Sequence, residues 1–190
     1  MIRPRHVVAL LLVAAAVAAC SSDPELDLTV HTAATGGDVS VEYTLANRSD
    51  APLVVYDGGW TDPAQPGWSR GPTEISVRDD GVIELSRRII HPCQTPDTSE
   101  CGGVRVPTER IRGSVLEPGA SRSDSFRVPL QVEPDHPVSA QHTPIPLSGR
   151  TVVFCVGFTE VTDDNPVTAN GLYPPGSPQT IVCGEPFQVP

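Results

Sequence analysis

From residue 26 onward, apolar and polar side chains alternate with a period of two. Leu26, Leu28 and Val30 alternate with Asp27, Thr29 and His31. After Thr35-Gly36-Gly37-Asp38, the residues Val39, Val41, Tyr43 and Leu45 alternate with Ser40, Glu42 and Thr44. Successive side chains of a strand point to opposite faces, so this pattern predicts strands with one buried face. Asn47-Arg48-Ser49-Asp50 reads as a turn into Leu53-Val54-Val55-Tyr56. Ile75 to Val77 and Val82 to Leu85 flank Asp79-Asp80-Gly81, which predicts a hairpin with Gly81 at positive φ. Glu117-Pro118-Gly119-Ala120 is a second turn, followed by alternating Phe126, Val128 and Leu130. Residues 151–158 and 179–183, with Phe187 and Val189 beyond, complete the series. No ten-residue stretch places apolar residues at i, i+3, i+4 and i+7. Eight to ten short strands between Pro- and Gly-rich turns predict an all-β chain folded as an antiparallel β-sandwich.

The first 25 residues break the alternation. Arg3, Arg5 and His6 precede an unbroken apolar run from Val7 to Ala19. Thirteen residues are too few for a bilayer-spanning helix, which needs about 20, but they suit the apolar region of a signal peptide. The run ends in Val17-Ala18-Ala19-Cys20, which resembles a bacterial lipobox. That resemblance implies a cleaved lipoprotein signal peptide over residues 1–19 and a diacylglyceryl thioether on Cys20, with an N-acyl chain such as palmitate. More than one acyl chain anchors stably where one is marginal. Residues 20–25 then form a lipidated tether and residues 26–190 a single domain. The expected location is the cell membrane, lipid-anchored on the extracytoplasmic side, with the membrane itself a partner through Cys20.

Composition narrows the chemistry. The chain has 190 residues, and all 13 of its basic residues are Arg. Without lysine there is no Schiff-base lysine, P-loop lysine or Ser-Lys dyad. Loss of Arg3 and Arg5 with the signal peptide takes the formal charge from −10 to −12, which argues against nucleic acid as a partner. In an exported chain with Cys20 lipidated, Cys93, Cys101, Cys155 and Cys183 remain, and four cysteines allow three pairings. The favoured pairs are Cys93–Cys101, closing a short polar loop, and Cys155–Cys183, joining two apolar runs that read as paired strands. No Cys-x-x-Cys motif is present, so structural disulfides are expected rather than a zinc or redox centre.

Val39-Ser-Val-Glu-Tyr-Thr-Leu-Ala-Asn-Arg-Ser-Asp-Ala-Pro-Leu-Val-Val-Tyr-Asp resembles the B and C strands of bacterial immunoglobulin-like domains, with their Asn-x-Ser-Asp-x-Pro corner. Leu116-Glu-Pro-Gly-Ala-Ser, followed by Phe126-Arg-Val-Pro-Leu, is similar to the turn before strand E in the same group. The layout is similar to that of the intracellular proteinase inhibitor family. The resemblance implies an immunoglobulin-like β-sandwich; export, disulfides and greater length depart from that family, and protease inhibition is not carried over. The excess length falls in Pro/Gly-rich connections at residues 57–72, 87–114, 131–149 and 162–178.

Candidate binding chemistry is sparse. Tyr56, Trp60 and Trp68 lie close in sequence and are candidates for an aromatic platform that takes a sugar ring or a partner chain, or else fold back as a lid over the sandwich. Arg87, Arg88, Arg105, Arg110 and Arg112 either read an anion or pair with the surrounding acids. The histidines lack metal-ligand spacing, and Asp163-Asp164-Asn165 reads as a solvated turn rather than a calcium loop. No nucleophile motif or phosphate-binding glycine loop occurs, so no catalytic residue, cofactor or metal is expected. The expected role is a non-catalytic protein-interaction module of the cell envelope. The alternative is a β-sandwich that binds a cell-wall glycan or small ligand through the Trp60/Trp68 loop.

Overall fold

A computed structural model describes residues 25–35, 37–56, 60–61, 72, 74–89, 110–132, 144–174 and 177–190. Residues 1–19, read above as a signal peptide, and Cys20, Trp68, Cys93 and Cys101 lie outside the described residues. The described chain is all-β, without a helix, and forms several mainly antiparallel sheets.

One layer consists of β1 (Leu26–Thr35), β2 (Asp38–Asn47) and β9 (Ser121–Pro129), in the order β1-β2-β9. The alternation in β2 becomes geometry: Val39, Val41, Tyr43, Leu45 and Asn47 are buried, while Glu42 is exposed and Ser40 and Thr44 half-buried. The second layer contains β3 (Leu53–Val55), β5 (Glu74–Val77), β6 (Ile83–Arg87), β8 (Ser114–Leu116) and β12 (Thr151–Glu160), in the order β5-β6-β12-β3-β8. Two further strands, β14 (Thr180–Cys183) and β15 (Phe187–Gln188), pair with β12. Inward side chains of both layers, among them Val41, Tyr43, Phe126, Leu85, Phe154 and Phe158, form one core. This is the arrangement of a β-sandwich.

β12 is the centre of the second layer. Its residues Val152 to Phe158 are all buried, which explains why Val152–Val156 reads as a continuous apolar run instead of an alternation. Phe158 pairs with Val55 of β3 on one edge and Thr180 of β14 on the other. Between β6 and β12 the pairing is parallel, from Val152↔Ile83 to Val156↔Arg87, a departure from the purely antiparallel expectation. A hairpin cannot make that connection. The chain between β6 and β12 is a long crossover instead, and it includes β9 of the other layer.

The turns predicted at Gly81 and Gly119 both form. The β5–β6 hairpin closes with Arg78 N–H donating to the Val82 carbonyl at 2.9 Å, and Gly81 takes φ 82°. Gly119, at φ 71°, lets Ala120 N–H reach the Glu117 carbonyl at 2.9 Å before β9 begins. Within the predicted long connections the chain still forms short strands. β10 (Gln131–Val132) pairs with β11 (Ile145–Pro146). More consequentially, β4 (Trp60–Thr61), β7 (Arg110–Arg112) and β13 (Leu172–Tyr173) form a three-stranded sheet in the order β13-β7-β4.

Candidate functional site

The small sheet gathers three segments far apart in sequence. Beneath it lies a second core of Val54, Tyr56, Ile89, Ile111 and Tyr173, separate from the main one. Val54 and Val55 alternate, so Val55 joins the main core and Val54 the second; the second core therefore packs on the outer face of the β12 sheet. Gly113 allows the close approach, since a Cβ there would stand 2.7 Å from both Tyr173 Cε2 and Val54 Cγ1.

Tyr56 sits at the base of this layer, fully buried, with its ring edge-on to Tyr173 at a centroid distance of 5.1 Å. Its hydroxyl donates to the Pro178 carbonyl at 3.1 Å. Burial pushes the phenol pKa upward, Tyr173 adds to the shift, and a hydrogen bond with Asn165 opposes it. The backbone of Trp60 pairs with Ile111, whereas its side chain, like the whole of Trp68, lies outside the described residues. Gln179 extends the layer by substituting for a strand neighbour. Ile89 N–H donates to Gln179 Oε1 at 2.9 Å, and Gln179 Nε2 donates to the Ile89 carbonyl at 2.8 Å.

Of the five candidate arginines, Arg87 and Arg88 pair with acids. Arg87 is 2% exposed, and Nη1 donates to Asp124 Oδ2 at 2.9 Å and to the Tyr43 hydroxyl at 2.7 Å. The guanidinium also lies 5.0 Å from the Phe126 ring centroid and 5.6 Å from that of Tyr43. Burial by itself would raise the Asp124 pKa, but the Ser125 N–H and Arg87 hold the carboxyl below its ordinary range. Arg88 Nη2 is 2.9 Å from Glu74 Oε2 and 3.6 Å from Glu84 Oε1. Arg112 is exposed on β7; Arg105 and the side chain of Arg110 lie outside the described residues.

Above the Arg87–Asp124 pair, the outer face of the β1-β2-β9 sheet carries a shallow depression of about 450 Å³. It is lined by His31, Glu42, Tyr43, Thr44, Ser123, Asp124 and Ser125. Thr44 and Ser123 hydroxyls are 2.7 Å apart across the strands. Hydroxyls, carboxylates and one imidazole suit hydrogen bonding to a polar surface. Among the described residues, no group of three or more His, Cys, Asp or Glu could hold a metal ion. In Asp163-Asp164-Asn165, Asn165 N–H bonds back to the Thr162 carbonyl at 3.1 Å, closing a turn.

Cys155 and Cys183 are joined by a disulfide between directly opposed residues of β12 and β14. Arg78 lies against it, Nη2 being 3.3 Å from each sulfur, while Nε donates to Glu84 Oε2 at 2.8 Å.

The Asn-x-Ser-Asp-x-Pro corner also acquires a physical basis. Asn47 is 1% exposed, and Nδ2 donates to the carbonyls of Ala51 at 2.8 Å and Leu116 at 2.9 Å. Its Oδ1 accepts from Ser49 N–H at 2.9 Å and Ser49 Oγ at 2.7 Å. One carboxamide thereby ties the end of β2 to the following turn and to β8.

Sequence reasoning missed the second core and its third layer. The available signals were faint: Ile111 stands alone between Arg110 and Arg112, and Leu172-Tyr173 precedes two prolines. Compared with known proteins, the chain matches no family model, and neither a curated protein nor a solved structure shows significant similarity to it.

Proposed function

We propose that this chain is a membrane-anchored lipoprotein of the bacterial cell envelope whose exported part is an immunoglobulin-like β-sandwich acting as a non-catalytic protein-interaction module. The observation that carries the reading is the Val17-Ala18-Ala19-Cys20 lipobox at the end of a thirteen-residue apolar run, with β1 starting only six residues later at Leu26. Six extended residues reach about 20 Å. Lipidated Cys20 would therefore keep the start of β1 close to the bilayer surface. Glu25, Asp27, Asp50, Glu117 and Glu160 share that end of the sandwich and outnumber Arg48, which pairs with Asp27 at 3.2 Å, and Arg122, as the register from Leu26↔Asn47 through Leu53↔Leu116 and Glu160↔Leu53 requires. Acidic groups there disfavour lying flat on an anionic leaflet and favour a domain that stands away from it, available to partners.

The immunoglobulin-like part is supported by strand placement. That fold puts strands A, B and E in one sheet and C, F and G in the other. Here β1, β2 and β9 share one layer, and β3 and β14 flank β12 in the other. The parallel β6–β12 pair is an addition to that plan.

The test is Cys20→Ala in the native host. Expected is loss of lipid labelling together with release from the membrane or retention of the unprocessed precursor. Undiminished labelling would refute the anchor. Crosslinking from the membrane fraction should recover a stable protein partner, and recovery of the free monomer alone would remove the interaction reading. A second reading is glycan binding through the Trp60/Trp68 loop, where Trp60 pairs with Ile111 of β7 through its backbone. It predicts a change in tryptophan fluorescence on adding cell-wall polysaccharide, and an unchanged spectrum across a glycan panel would exclude it.

A further inference from the structure

We propose that the Cys155–Cys183 bridge is a thiol–disulfide exchange site, opened by an external thiol reductant that attacks the exposed Cys183 sulfur while Arg78 receives the charge that develops. Three observations converge on it. The two cysteines differ in access: Cys155 is fully buried in the middle of β12, whereas Cys183 is exposed at the end of β14. A cation is held on both sulfurs, since Arg78 Nη2 lies 3.3 Å from each. That cation is itself positioned, by the Nε bond to Glu84 Oε2 at 2.8 Å and by the β5–β6 turn that Arg78 closes through its N–H to Val82.

A neutral disulfide gains little from a guanidinium, because its sulfurs are weak acceptors. A thiolate gains much more, since the contact becomes a charge-assisted one. Arg78 therefore stabilises the reduced pair more than the oxidised pair and makes the bond easier to reduce. Two arginines share two carboxylates on this face: Glu84 takes Arg78 Nε at 2.8 Å and stands 3.6 Å from Arg88, whose close partner is Glu74 at 2.9 Å, so the guanidinium edge of Arg78 that meets the sulfurs is the one turned away from Glu84.

The exchange balances in two steps. A reductant thiolate attacks Cys183 Sγ; the Cys155–Cys183 bond breaks, and its electron pair leaves on Cys155 beside Arg78. A second reductant thiol then attacks the mixed disulfide at the reductant's own sulfur, releasing Cys183. The reductant pair is oxidised to a disulfide, the two cysteines are reduced, and the two reductant protons end on them.

The mature full-length chain is equilibrated in glutathione redox buffers, quenched by alkylation, and the state of Cys155 and Cys183 read by peptide mass spectrometry. Arg78→Gln should lower the equilibrium constant for reduction about tenfold, a shift of about 30 mV to more negative potential, and Arg78→Lys should recover part of it. Unchanged potential in Arg78→Gln, with the fold retained by circular dichroism, overturns the proposal. In the unsubstituted chain, the trapped glutathione adduct should map to Cys183. An adduct on Cys155, or a bond that resists glutathione until the domain unfolds, overturns it independently of any variant.

Discussion

Replacing Asn47 by alanine removes one buried carboxamide and four hydrogen bonds at once. Two run to the main-chain carbonyls of Ala51 and Leu116 at 2.8 and 2.9 Å, and two come from Ser49 at 2.9 and 2.7 Å. No water replaces the donor readily, because the side chain is 1% exposed and the bond to Leu116 is fully buried. Each such bond contributes about 1 kcal/mol net, with a larger loss where a buried acceptor is stranded. The expected destabilisation is about 3 kcal/mol, allowing for partial solvation on the turn side. With an m-value of about 2 kcal/mol/M in urea, the unfolding midpoint should fall by about 1.5 M. Asn47→Asp gives the sharper comparison. It is isosteric and keeps the acceptor for Ser49, but it turns a carboxylate oxygen toward two carbonyls that need a donor. It should destabilise at least as much as alanine, whereas Ser49→Ala, which spares both carbonyl contacts of Asn47, should cost about 1 kcal/mol. The assay is equilibrium urea unfolding of the exported domain followed by far-UV circular dichroism. A loss below about 1 kcal/mol for Asn47→Ala, or an aspartate variant as stable as the parent, would refute the account of the corner.

Two further outcomes follow from the geometry. The Asp124 carboxyl is held below its ordinary range, so its contribution to stability is complete above the unfolded pKa of about 3.9 and is lost as pH falls through the folded value. Asp124→Asn should therefore lower the melting temperature near neutrality and flatten its decline below about pH 4; a variant with the parent's acid limb would show that Arg87 does not act through this carboxylate. Gly113→Ala places a methyl 2.7 Å from Tyr173 and Val54 in the second core, and the overpacking should cost about 1–3 kcal/mol in thermal or urea unfolding. A neutral substitution would mean that the small sheet is not packed on the β12 face as described.

The alternation from Leu26 to Leu45 was enough to fix the faces of β1 and β2, because a strand's side-chain period leaves only a choice of which face is buried. The Gly81 and Gly119 turns were legible for the same local reason: each needs a backbone conformation that glycine supplies. The pairing of Cys155 with Cys183 was a choice among three from sequence, and the opposed register of β12 and β14 is what joins them. Tyr56 illustrates the limit. As an aromatic residue beside a tryptophan-rich connection it has the look of a ligand platform, yet it is buried under Tyr173, and nothing local distinguishes the two placements. Likewise Arg87 and Arg88 are neighbours in sequence that point to opposite faces of β6 and its exit, one toward Asp124 in the other layer and one toward Glu74 and Glu84.

The sequence by itself determined the longer strands, their buried faces and the tight glycine turns, all of which rest on local stereochemistry. Only the tertiary structure decided the parallel β6–β12 pair, the sheet assembled from three distant connections, and the seat of Arg78 on the disulfide. Those features depend on which segments meet across the fold. Contacts between residues 77 and 105 positions apart, as from Arg78 to Cys155 and Cys183, leave no periodicity for a single sequence to show.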